Sequence, residues 1–259
     1  MYKIFLLLYV FFSTSVFAQP KLYTTANAHS HNDYEKPIPF YEAYKHQFGS
    51  IEADIFLVDG SEELYVAHHR SDLDKKRRTL DSLYLLPLRT CIRKNNGSVY
   101  ADTTRKLQLL IDIKTEAVPT LARLIKLLQN YPELISTSNL TIVISGNRPP
   151  VDSFSTYPSF IYFDGIVGTV YAKQALSRIP LYSANFSQYS KWNGIGDMPE
   201  NERTQLVSAI AQVHHDGKPV RFWGAPDTAE AWKELIRLQA DYINTDRISE
   251  LSEFLKGLK

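Results

Sequence analysis

The sequence predicts an α/β fold, a single (β/α)8 TIM barrel of the parallel type, and three observations carry that reading. Eight short apolar or β-branched runs recur along the 259 residues, and helical patterns separate them. Three of the runs end in a residue-x-residue pair of functional side chains: His29-x-His31, Glu52-x-Asp54 and Asp112-x-Lys114. Residues two apart on a strand face the same way, and a parallel barrel gathers its strand ends around one mouth, so these pairs are expected to converge.

Residues 1–18 precede the barrel. Lys3, the apolar run 4–12, the Ser13-Thr14-Ser15 stretch and the small-residue Val16-Phe17-Ala18 site predict a cleaved signal peptide. That leaves 19–259 as one domain and makes the mature chain secreted or periplasmic. The apolar run is roughly half of the ~20 residues that span a bilayer, so an uncleaved anchor is the lesser alternative. Cys91 is the sole cysteine. No disulfide can therefore form within the chain, and Cys91 reads as a small buried hydrophobe.

The first strand, 26–31, ends in the paired histidines. The second, 50–57, is followed by the run 63–67, expected to hairpin back onto it. The connection from His69 to Lys106 is the longest and is expected to form a mostly helical insertion over the mouth. Strand three, 107–113, leads into a helix at 118–129, where Leu121, Leu124, Ile125 and Leu128 recur at helical spacing. Strands four, five and six are expected at 140–145, 160–163 and 181–185. A helix over 202–214 carries Leu206, Ile210 and Val213 and stops at Gly217. Strand seven is 220–223. Asp227 with Glu230 predicts a capping box for the helix bearing Trp232, Leu235 and Ile236, and strand eight follows at 242–244. Near-continuous strand hydrophobicity implies a parallel sheet buried on both faces. An open doubly wound sheet is the competing fold, but no Gly-rich phosphate loop follows the first strand.

A formal charge of +1 argues against a nucleic-acid surface. The one basic run, Lys75-Lys76-Arg77-Arg78, is flanked by Asp72, Asp74 and Asp81 and reads as a solvated helix face, with a peripheral membrane contact as its alternative. No low-complexity linker or internal repeat divides the chain.

The paired residues have the makings of metal-assisted phosphoryl chemistry. Cleaving a phosphodiester needs charge neutralisation, a base for the attacking hydroxyl and an acid for the leaving oxygen. Clustered carboxylates favour a hard cation, Mg2+ or Ca2+, over zinc. Histidine, with an ordinary pKa near 6.5, suits both proton transfers, and Lys114 offers a compact positive charge. Singly, Asp112-x-Lys114 is equally an ion pair and Glu52-x-Asp54 a solvated edge; their coincidence at strand ends favours a site. His31 could hold a phosphate or a sugar hydroxyl, Arg148 could grip a phosphate as a planar fork, and Trp223 could stack on a headgroup. His46, His214 and His215 sit near helix ends that lead into the next strand and should be structural or merely exposed.

Ala28-His29 on strand one, Ile51-Glu52-Ala53-Asp54 on strand two, Leu64 to His68 after it and Leu110 to Lys114 on strand three resemble the superfamily of glycerophosphodiester phosphodiesterases and spider-toxin sphingomyelinases D. The stretch His29-Ser30-His31-Asn32-Asp33-Tyr34 together with Leu64-Tyr65-Val66-Ala67-His68 is more closely similar to the phosphoinositide-phospholipase-like domain of the altered-inheritance-of-mitochondria proteins. Phe222-Trp223 and Ile243-Asn244-Thr245-Asp246 look like the last two strands of that superfamily. The resemblance implies a metal-dependent phosphodiesterase in which His29 and His68 are acid and base, Glu52, Asp54 and Asp112 hold one divalent cation, and Lys114 contacts the phosphate. It implies a small-molecule or lipid-headgroup phosphodiester as the partner. The chain departs from the glycerophosphodiesterases in having Ser30-His31 where they continue into Arg-Gly, and Asp112 in place of their glutamate, as in the toxin enzymes.

Two other readings stay open. Paired histidines on strand one also begin the zinc sites of amidohydrolase-type and polymerase-histidinol-phosphatase-type barrels, although no histidine ends strands four to eight. A headgroup-binding barrel without turnover is the other. The sequence leaves undetermined the particular diester, attack by water or by a neighbouring substrate hydroxyl, the identity of the metal, the oligomeric state and whether the site is active.

Overall fold

In the computed structural model, residues 22–74 and 78–258 are described. The expected leader and the basic residues Lys75, Lys76 and Arg77 lie outside them. Ten strands form among the described residues: β1 (Ala28–Ser30), β2 (Ser50–Leu57), β3 (Leu64–Val66), β4 (Leu107–Ile113), β5 (Leu140–Gly146), β6 (Ile161–Phe163), β7 (Gly165–Ile166), β8 (Tyr182–Asn185), β9 (Val220–Trp223) and β10 (Ile243–Thr245). Each of the eight expected runs overlaps one of them. β3 is the expected hairpin partner, antiparallel to β2 with Ile55 opposite Val66. The two-residue β7 has no counterpart among the expected strands.

Six strands pair in parallel in the order β10–β1–β2–β4–β5–β6, and β7–β8–β9 form a second parallel sheet. The sheets abut twice. Only Asp164 separates β6 from β7, and an isolated parallel bridge joins Arg221 to Tyr242, with the Asp241 and Tyr242 amides donating to the Val220 carbonyl at 3.0 and 3.2 Å. The strands thus follow barrel order in a mixed α/β fold with parallel sheets, while a continuous closed ladder does not form among the described residues.

The helices are α1 (Tyr41–Lys45), α2 (Leu86–Lys94), α3 (Ala117–Leu128), α4 (Pro132–Ser136), α5 (Lys173–Leu176), α6 (Glu200–His215), α7 (Ala229–Arg237) and α8 (Ile248–Lys256). α3 buries Leu121, Leu124 and Leu128 as its periodicity requires. α6 ends before Gly217, whose φ of 68° is the left-handed stop that glycine adopts without a Cβ clash. In the long connection α2 packs against α4, with Arg93 paired to Glu133, while Arg78 reaches the Tyr34 carbonyl and Tyr84 the Asp33 carboxylate. One expectation is corrected. Asp227 does not cap α7. Thr228 does, its hydroxyl accepting from the Ala231 amide at 3.3 Å, because Asp227 is drawn off to the Trp232 indole, the Thr245 hydroxyl and the Asp246 amide.

Alternation along the strands sorts the interior. On β4, Leu109 and Ile111 join the large apolar core, whereas Leu110 packs with Val143 and Leu181 in a separate small cluster flanked by Tyr162 and Tyr242. Gln108 and Asp112 share the face of Leu110. On that face, polar side chains from β1, β2, β4, β8, β9 and β10 meet.

Candidate active site

His29 is fully buried and has a partner for both ring nitrogens. Nδ1 lies 2.7 Å from the Ser50 hydroxyl, which also accepts from the Gln108 amide, and Nε2 lies 2.9 Å from Glu52 Oε2. Arg221 Nη1 touches Nε2 as well and donates to Glu52 Oε2 at 2.8 Å. A guanidinium can only donate, so that contact suits an unprotonated Nε2 with the proton on Nδ1; the other neutral tautomer donates to Glu52. Burial first and the Arg221 charge second push His29 down to about 3, so the ring is neutral at neutral pH. Burial alone would raise Glu52, but the bond to His29 and the Arg221 charge outweigh it and hold the carboxylate well below its usual range. Arg221 also reaches Ser183 Oγ at 3.1 Å, Asn244 Oδ1 at 3.3 Å and Asp164 Oδ2 at 3.9 Å. Burial pushes Asp164 up to about 6 against the charges of Arg221 and Arg148.

Directly alongside, Asp54 on β2 stands opposite Asp112 on β4 in the parallel register. Lys114 Nζ lies between them, 2.8 Å from Asp54 Oδ2 and 2.9 Å from Asp112 Oδ1. Burial would lower the lysine, but Asp112 and Asp54 together raise it and keep it charged. One ammonium cannot neutralise two carboxylates. Asp54 is accordingly pushed up to about 7, by burial first and by the neighbouring Glu52 charge second, with Lys114 opposing. The Tyr34 hydroxyl lies 2.7 Å from Asp54 Oδ2 and 3.1 Å from His68 Nδ1, and His68 Nδ1 is itself 3.5 Å from Asp54 Oδ2. The His68 side chain is 39% exposed, unlike His29.

His31 occupies the rim. Its Nδ1 is 3.1 Å from Asp246 Oδ1 and its Nε2 4.0 Å from Glu52 Oε1. Burial would lower this imidazole, but the bond to Asp246 and the Glu52 charge raise it. His29, His31, Glu52, Asp54, Asp112, Lys114 and His68 are thus brought together. Arg148 lies beside them, held to the Asp164 carbonyl and sharing a groove with Lys114. Trp223 ends β9 two residues beyond Arg221 and is 42% exposed, apart from the contacts that join the cluster. His46 ties to Ser252 on α8 at 2.8 Å, and His214 to Asp241 at 2.8 Å where β9 begins, so both are structural as expected.

Sequence reasoning missed Arg221 and Tyr34. A detectable clue to the first was an arginine inside the apolar run Val220-Arg221-Phe222-Trp223, since a charge in a buried strand must meet an opposite one. Tyr34 carried no such mark.

A divalent cation can be tested against this donor set. Glu52, Asp54 and Asp112 supply hard oxygen donors, and Asp54 Oδ1 is buried with no hydrogen-bond partner. The three carboxylates do not converge on one point: Glu52 turns to Arg221, and Asp54 and Asp112 to Lys114. The donor chemistry and the unsatisfied oxygen nevertheless fit a hard ion at the Asp54–Asp112 end.

Fold and site together define the class of phosphodiesterase-like parallel α/β proteins. The profile of the AIM6-like phosphodiesterase domain matches residues 21–151, half of the chain, and that of the glycerophosphoryl diester phosphodiesterase family matches 219–247. The chain belongs to the AIM6-like phosphodiesterase domain family, within the wider group of phosphoinositide-phospholipase-like and glycerophosphodiesterase-like proteins. It is 27% identical to altered inheritance of mitochondria protein 6 of Kluyveromyces lactis, over 88% of this chain and 72% of that one. It is 27% identical to the Arthroderma benhamiae homolog, over 85% and 81%. A glycerophosphodiester phosphodiesterase from Parabacteroides distasonis shares the fold, with a TM-score of 0.55 and 13% identity over 89% of this chain and 97% of that one. Among the described residues no helix is long and apolar enough to cross a membrane.

Proposed function

We propose that the chain hydrolyses a phosphodiester of the glycerophosphodiester, phosphoinositide or related lipid-headgroup kind. One observation carries the reading: two imidazoles flank the same strand, His29 against Glu52 and His68 against Asp54, with the Lys114 ammonium beside them between Asp54 and Asp112. The family and the glycerophosphodiesterase fold support it.

In this reading Lys114 draws a non-bridging phosphate oxygen to the Asp54–Asp112 end. Water attacks phosphorus, the neutral His29 imidazole takes its proton, and His68, entering the step as the imidazolium, returns a proton to the departing alkoxide as the P–O bond breaks. His68 is the solvent-facing member, oriented by Tyr34 and Asp54. His29 must exchange its Arg221 contact for substrate to take part, and Ser50 and Glu52 hold its ring plane meanwhile. Asp54 and Asp112 would hold one Mg2+ or Ca2+, joined by Glu52 only on its release from Arg221, and the ion when bound would supply charge neutralisation at the phosphate.

A panel of phosphodiesters assayed with and without EDTA tests this, with products identified by phosphorus NMR. His68→Ala should lower turnover roughly 10^2 to 10^4-fold with the fold intact. His214→Ala, at the other end of the strands, should leave it within about a few-fold. Equal losses from both substitutions would break the assignment, as would hydrolysis of no diester at all.

A further inference from the structure

A groove of about 1160 Å³ opens beside Lys114 and runs along the loops that follow β2, β4, β5 and β7. It begins at the charged cluster itself. Gly146, on its wall, has a φ of 66°, and a Cβ there would lie 2.4 Å from Asp112 Oδ1, so only glycine lets the β5 loop lie against that carboxylate. Beyond Lys114 and Arg148 the lining includes Pro149, Val151, Phe154, Ile166 and Tyr171. Val151 is 38% and Ile166 48% exposed, which leaves apolar surface uncovered by the fold. The volume exceeds the roughly 300–1,000 Å³ typical of pockets for drug-sized ligands, and a glycerophosphodiester is smaller than such ligands.

We propose that this groove receives the hydrocarbon chain of a phospholipid whose diester phosphate sits at Lys114. The substrate is then a chain-bearing lipid and not a water-soluble glycerophosphodiester. The location of the phosphate rests on the function proposed above; the chain subsite rests on the groove. Cations at Lys114 and Arg148 match the anionic phosphate, and the apolar wall that follows matches what a lipid attaches to it.

Binding without turnover separates the two. Dodecylphosphocholine below its micellar concentration and glycerophosphocholine carry the same phosphocholine diester, one with a chain and one without, and titration calorimetry reads both. The chain-bearing probe should bind the wild type at least roughly 10-fold more tightly, a factor that burial of about two methylenes supplies. Val151→Asp combined with Ile166→Asp should erase that gap while leaving glycerophosphocholine binding unchanged. Val151→Asp alone should narrow the gap if the double variant is poorly folded. Equal affinity of the wild type for both probes, no binding of the chain-bearing probe, or a gap that survives the substitutions overturns the proposal. A gap in the wild type that the substitutions erase, in a protein that hydrolyses no diester, would instead refute the catalytic reading and leave the chain subsite standing.

Discussion

The Glu52 half and the Asp54 half of the polar centre are equally deep but differently balanced. Around Glu52, Arg221 supplies the opposing charge, and its remaining donors turn to Ser183, Asn244 and Asp164. Around Asp54, one ammonium serves two carboxylates, and Asp54 Oδ1 meets no donor. Burial raises both acids, yet one ends well below the carboxylate range and the other near 7. At Glu52 the bond to His29 and the Arg221 charge together outweigh burial, whereas at Asp54 burial and the Glu52 and Asp112 charges outweigh Lys114. A matched buried ion pair keeps its shape; an unmatched one retains capacity for a cation.

The largest test removes the matching charge. Arg221→Met leaves Glu52 buried without its cation and should cost about 3–5 kcal/mol in urea denaturation. A loss below about 1 kcal/mol would mean that the Glu52 half is not held by Arg221.

A smaller effect is expected from the unmatched half. Saturating Mg2+ or Ca2+ should raise the melting temperature, with a stabilisation of about 2.7 kcal/mol when the ion stands at roughly 100 times its Kd. Asp112→Asn should abolish that rise. A wild type indifferent to both ions and to EDTA would show that Lys114 and Arg221 are the only charge neutralisers, and the comparison would then lose its functional meaning.

A pH profile of the metal-free protein also distinguishes the halves. His29 sits at about 3 when folded, against an ordinary 6.5, so the unfolded chain binds the extra proton between those values. Its contribution is complete above 6.5 and fades as pH falls toward 3. Asp54 sits at about 7 when folded, against an ordinary 3.8, so its contribution is complete below 3.8 and fades as pH rises through 7. His29→Gln should therefore flatten the acid side of the stability profile and Asp54→Asn the alkaline side. Profiles in which both variants parallel the wild type would dissolve the distinction.

Much of this was legible in the chain. The limits of β2, β4 and β9 coincide with apolar runs at 50–57, 107–113 and 220–223, because a strand buried on both faces must be apolar almost throughout. The interrupting polar residues, Glu52, Asp54 and Asp112, then stand out, and a period of two places them on one face. The capping of α7 was misread because Asp227 and Thr228 are both good caps locally, and only the approach of Thr245 and Asp246 draws Asp227 away.

The sequence by itself therefore determined which polar residues share a strand face, and with them the histidine, carboxylate and lysine set, since each follows from local periodicity and side-chain type. Only the tertiary structure decided that Arg221 sits between His29 and Glu52, that Tyr34 joins Asp54 to His68, and that a groove leads away from Lys114. Those facts depend on the register in which strands far apart in the chain meet, which nonlocal packing sets and no neighbouring residue encodes.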